Sequence, residues 1–68
     1  MDKWQKVFET DTGIRAEIVK GVLIEHEIGA IVLNKKESVY QINGTYQVMV
    51  APEHALRAIN IIKNEISF

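Results

Sequence analysis

The residues that could do chemistry fall into three groups. The densest is Asn34-Lys35-Lys36-Glu37-Ser38-Val39-Tyr40. Lys35 and Lys36 carry charge on flexible stems. Asn34 and Ser38 offer oriented hydrogen bonds, and Tyr40 a flat amphipathic contact. Such a set would bind an anionic group or a partner peptide rather than transform it. The segment also reads as a solvated loop between strands with Tyr40 packed on the sheet edge, because two lysines make a phosphate site only where backbone N–H groups aim at the anion.

The second group is His26 and His54, the only histidines. A metal site usually needs three or four ligands. His26 could draw on Glu25 or Glu27, and His54 on Glu53. The plainer reading is two helix-terminal surface histidines, of which His26, near a helix C-terminus, would interact well with the dipole. The third group is the possible nucleophiles. There is no cysteine, and Ser38 and Ser67 lack the glycine-flanked elbow that activates a serine. No glycine-rich phosphate loop occurs, and the acids are scattered. These residues point to no catalysis and no cofactor.

Sixty-eight residues make one domain, 1–68. A domain this small buries only about 60% of its unfolded surface, and without cysteine no disulfide can staple it. Regular packing or self-association must do that work. The apolar and charged fractions, 47% and 25%, are those of a folded protein rather than a disordered one. A net charge of −1 lacks the footprint of a nucleic-acid backbone binder. There is no apolar export signal after Met1 and no run near the ~20 residues of a membrane span. A cytoplasmic location is therefore expected, with no nucleic-acid or membrane partner.

Five segments must position these residues. Trp4–Thr10, with Val7-Phe8 at its centre, reads as a strand. Asp11 and Thr12 can accept hydrogen bonds from the start of a helix. Ala16, Val19, Val22, Leu23 and His26 then follow at helical spacing, with Ile18 beside them, which predicts a helix over Gly13–Glu27. Ala30–Leu33 is a short apolar run that reads as a strand. Val39–Ile42 and Thr45–Val50 flank Asn43-Gly44, the pair best suited to a type I′ hairpin turn. Tyr46, Val48 and Val50 then share one strand face, with Gln47 and Met49 on the other. Pro52 and Glu53 suit a helix start, and Ala55, Ala58, Ile59, Ile62 and Ile66 form a stripe to Ile66.

This order predicts an α+β two-layer βαββα sandwich, with two helices on one face of a small antiparallel sheet. It is the ferredoxin-like βαββαβ pattern lacking its last strand. The missing strand would pair with the first, so Trp4–Thr10 would be an open edge. Lys6 and Glu9 would discourage pairing there. Met49 and one of Val7 or Phe8 should face the side away from the helices. The strand aromatics Phe8 and Tyr46 could stack RNA bases if exposed, although no basic-aromatic motif accompanies them.

Glu17-Ile18-Val19-Lys20, Val22-Leu23, Ile28 through Ser38 with Tyr40, Val48-x-Val50-x-Pro52-Glu53, and Ala55-x-x-Ala58-Ile59-x-Ile61-Ile62 together resemble a bacterial domain family of unknown function labelled as prokaryotic signal transducing. The version found in Bacteroidetes-type bacteria looks most similar. The resemblance runs from about Val7 to Ile62. Core pattern carries most of it, and Asn34–Tyr40 is its more distinctive part. It implies a ferredoxin-like βαββα fold and no established catalytic activity. Two departures stand out. The family pattern closes its first helix with a left-handed glycine where this chain has Glu27. It also tends to place acids where this chain has Ile24 and Leu56, which should add exposed apolar surface.

Three functions follow as expectations. The first is a non-catalytic regulatory or interaction module that binds a protein segment or small anion through Asn34, Lys35, Lys36, Ser38 and Tyr40. The second is a structural homodimer assembled through the open sheet face or the edge strand. The third is a small metal-binding module using His26 or His54.

Overall fold

The computed structural model describes residues 3–34 and 45–68. Three strands and two helices appear in the order β1 (Gln5–Thr10), α1 (Gly13–Glu25), β2 (Ala30–Asn34), β3 (Tyr46–Val50) and α2 (Ala55–Glu65), and one 3-10 turn over Pro52–His54 leads into α2. Both strand pairings are antiparallel and the sheet order is β1-β3-β2. β3 therefore lies between β1 and β2, as the third strand does in a ferredoxin-like sandwich. Among the described residues β1 and β2 each have one unpaired side.

The register sorts side chains by face. Val48 lies opposite Val32 and Phe8, and Val50 opposite Ala30 and Gln5. Val48 and Val50 are fully buried together with Ala16, Val19, Leu23, Ile28 and Ala58, so this is the helix-covered face. Burying a side chain of the size of Leu23, Ile28 or Val48 stabilises by about 1.5–3 kcal/mol. The small Ala58 lets α2 lie close. Ala55, Ile61, Ile62 and Ile66 pack beside it, with Ile61 in the place that the spacing gave to Ile59.

A bulge in β1 overturns one expectation. Lys6 opposes Met49 and Phe8 opposes Val48, so Val7 is an extra residue on β1. A bulge resets the alternation of side chains. As a result both Val7 and Phe8 pack against the core, and neither is left on the open face.

The helix ends also differ from the periodicity. α1 stops at Glu25 rather than Glu27, and Glu27 adopts φ 65°, a left-handed conformation and the only positive φ among the described non-glycine residues. The Ile28 N–H donates to the Leu23 carbonyl and the Glu27 N–H to the Ile24 carbonyl, both at 2.9 Å. This is the Schellman arrangement, and its usual apolar contact is supplied by Ile28 and Leu23, both fully buried. A glutamate thus holds the place that suits glycine. At the other end Thr12 is the N-cap, but its side chain makes no capping hydrogen bond. The Thr12 N–H and hydroxyl instead lie 3.3 Å from the Thr10 hydroxyl.

Candidate functional site

Of the five predicted binding residues the structure describes Asn34. Lys35, Lys36, Ser38 and Tyr40 lie outside the described residues, as do the expected Val39–Ile42 strand and the Asn43-Gly44 turn. Asn34 is the last residue of β2 and lies opposite Tyr46, which lies opposite Thr10. The three form a row across one end of the sheet. The Tyr46 ring closes over the start of α1, where a methyl group on Gly13 would come within 3.3 Å of Tyr46 Cζ.

The face opposite the helices carries no other layer among the described residues. Strand alternation places Lys6 and Glu9 of β1, Gln47 and Met49 of β3, and Ile31 and Leu33 of β2 on it. It is divided by chemistry. Ile31, Leu33 and Met49 make it apolar toward β2, while Lys6 and Glu9 make it ionic toward β1. Phe8 and Tyr46 lie on the covered side, where Phe8 also meets Phe68 with ring centroids 6.0 Å apart. Neither of these two strand aromatics therefore offers its ring on the open face for a base to stack on.

The ionic half is a network. Lys6 Nζ lies 2.8 Å from Glu9 Oε1, and the Thr45 hydroxyl donates to Glu9 Oε2. Lys6 and Glu9 are three residues apart and would lie on opposite faces of a regular strand. The extra residue at Val7 puts them on the same one. The Lys6 hydrogen bond first, then that of Thr45, hold the Glu9 carboxyl down at about 2, below its ordinary 4.5.

The histidines do not come together. His26 is the C-cap of α1, and its Nε2 lies 2.9 Å from Glu65 Oε2 at the end of α2. Arg57 Nη2 donates to the His26 carbonyl at 3.3 Å, a second tie between the helices. His54 Nε2 is 3.9 Å from Glu53 Oε2. Among the described residues no cluster of three or more His, Cys, Asp or Glu could hold a metal ion.

Ile24 and Leu56 are 51% and 74% exposed, as their departure from the family pattern suggested. Ile14, Ile18 and Ile24 lie on the part of α1 turned from the sheet. The helix is apolar on more than its core face, which the spacing of its buried residues did not reveal. No helix among the described residues is long and apolar enough to cross a membrane.

These features define a small α+β sandwich whose polar side chains tie its own elements together and whose uncovered sheet face turns apolar beside β2. A family described as "Putative prokaryotic signal transducing protein" matches residues 4–66, and the chain belongs to it. That description names signal transduction and no reaction. No curated protein matches the chain, and no solved structure does.

Proposed function

We propose that the domain is a non-catalytic, cytoplasmic interaction module of a prokaryotic signalling system, and that it takes up an extended segment of a partner protein along β2. The observation that carries this reading is the apolar patch of Ile31, Leu33 and Met49 on the uncovered sheet face, borne largely by the strand that ends at Asn34. Strand addition at a sheet edge draws affinity from backbone hydrogen bonds and specificity from alternate side chains on one face. A partner strand beside β2 would set apolar side chains against Leu33 and Ile31. The sequence that follows β2 carries Lys35, Lys36, Ser38 and Tyr40, whose lysines would favour an acidic stretch in the partner.

Affinity capture from a bacterial lysate tests this, with the wild-type domain and a Lys35→Ala/Lys36→Ala/Tyr40→Ala variant as baits. The reading predicts a protein retained by the wild type and lost with the variant, while both baits show the same circular dichroism. Identical proteins on both baits would remove the 34–40 segment from the site. Binding of a small anion alone by the wild type would replace the partner strand with a ligand.

A further inference from the structure

The bulge gives β1 a symmetry that the bare sequence does not display. Gln5 and Thr10 lie opposite Val50 and Tyr46 and so share the helix-covered face. Lys6 and Glu9 lie opposite Met49 and Gln47 and so share the open face. Val7 and Phe8 both pack against the core. Read from either end, the strand runs covered, open, covered, covered, open, covered. A regular six-residue strand alternates and cannot read the same in both directions. The charges are arranged to match. Reversing the strand exchanges Lys6 with Glu9, so each lands on the opposite charge.

We propose that β1 is a homodimer edge, and that a second copy of this chain adds its own β1 antiparallel to it about a two-fold axis between Val7 and Phe8. In this register Gln5 faces the partner's Thr10, Lys6 the partner's Glu9 and Val7 the partner's Phe8, and each pair recurs on the other side of the axis. All six residues of β1 find a partner. Every pair joins side chains on the same face, which cross-strand contact requires. The second copy pairs with the side of β1 that no described strand occupies. The result joins the three described strands of each copy into one continuous sheet with both helix layers on one side. This two-fold interface is self-complementary, as a closed dimer needs. Charged residues and a bulge on an edge strand commonly block pairing with arbitrary strands. Here the same devices admit one register, because a shift that pairs more than one residue either mismatches the faces or sets Lys6 against the partner's Lys6 or Glu9 against the partner's Glu9.

The test uses Lys6→Glu, Glu9→Lys and the double swap Lys6→Glu/Glu9→Lys, with circular dichroism to verify the fold of each. Sedimentation equilibrium measures the mass over concentrations up to about 1 mM, the range where weak association becomes visible. The wild type should approach twice its 7.7 kDa. Each single variant places like charges opposite one another twice and should weaken dimerisation by about tenfold or more. Mixing the two single variants restores opposite charges across the axis, and so does the double swap. Both should recover the wild-type association. A wild type that stays monomeric throughout overturns the proposal. So do single variants that dimerise like the wild type, or a mixture and a double swap that both fail to recover while remaining folded. The double swap also preserves the pairing of positions 6 and 9 within one chain, so the two single variants mixed together isolate the contribution made across the axis.

Discussion

Replacing Glu27 with glycine should make the domain more stable. A non-glycine residue held in the left-handed region costs about 1–2 kcal/mol. Glycine avoids that cost but gives up about 0.5–1 kcal/mol of additional chain entropy on folding. The difference leaves a net gain of about 0.5–1 kcal/mol for Glu27→Gly. In a domain of this size 1 kcal/mol moves Tm by about 4–8 °C, so the variant should melt about 2–8 °C higher. Glu27 also sets a carboxylate near the negative end of the α1 dipole, an unfavourable placement worth about 0.3–1 kcal/mol. Glu27→Gln separates the two effects, because it removes the charge but keeps the Cβ atom. The assay is thermal melting by far-ultraviolet circular dichroism, followed by urea titration. The midpoint in urea should rise with no change in slope, the mark of a change in stability alone. Glu27→Gly should exceed Glu27→Gln. A glycine variant that melts at or below the wild type would refute the reasoning, and equal gains from both variants would assign the whole effect to charge.

Other perturbations have equally definite outcomes. Ile28 is fully buried against Leu23, and Ile28→Ala should cost about 2–5 kcal/mol. A core of this size supplies about 3–5 kcal/mol, so that variant should lose its cooperative melt at room temperature. The Glu9 carboxyl titrates lower in the folded chain than in the unfolded one, so in that window the unfolded chain binds more protons. Its contribution is fully present above about pH 4.5 and is lost as pH falls toward about 2. Urea midpoints measured across that window should fall less steeply for Glu9→Gln than for the wild type. The His26–Glu65 pair is partly exposed, and Glu65→Gln should shift stability by no more than about 1 kcal/mol in a urea titration.

Much of the fold was legible in periodicity. The i, i+3, i+4, i+7 spacing identified both helices, and alternation over Tyr46–Val50 assigned the buried face of the central strand. The features it missed come from adjustments of the backbone. Gln5–Thr10 contains no glycine or proline to mark a bulge. The sign that was available is Val7-Phe8, two adjacent apolar residues that a half-covered strand can bury together only by inserting one. The end of α1 was misplaced because Glu27 stands where a helix-closing glycine would have announced itself. The aliphatic pattern alone could not separate Ile59 from Ile61, since both lie within one turn of Ala58, and it is Ile61 that packs against the core. Of the candidate site, the sequence located Asn34 next to a strand end. The apolar half of the open face emerged only with the register, which brings Met49 between Ile31 and the β1 edge.

The most direct test of the interaction-module account is site-specific photocrosslinking in bacterial cells. One photoreactive side chain replaces Leu33, on the open face beside β2, and another replaces Glu17, on the outer side of α1. The account predicts a covalent adduct with a partner protein from position 33 that is absent, or much weaker, from position 17. Equal adducts from both positions, or adducts from position 17 alone, would contradict it.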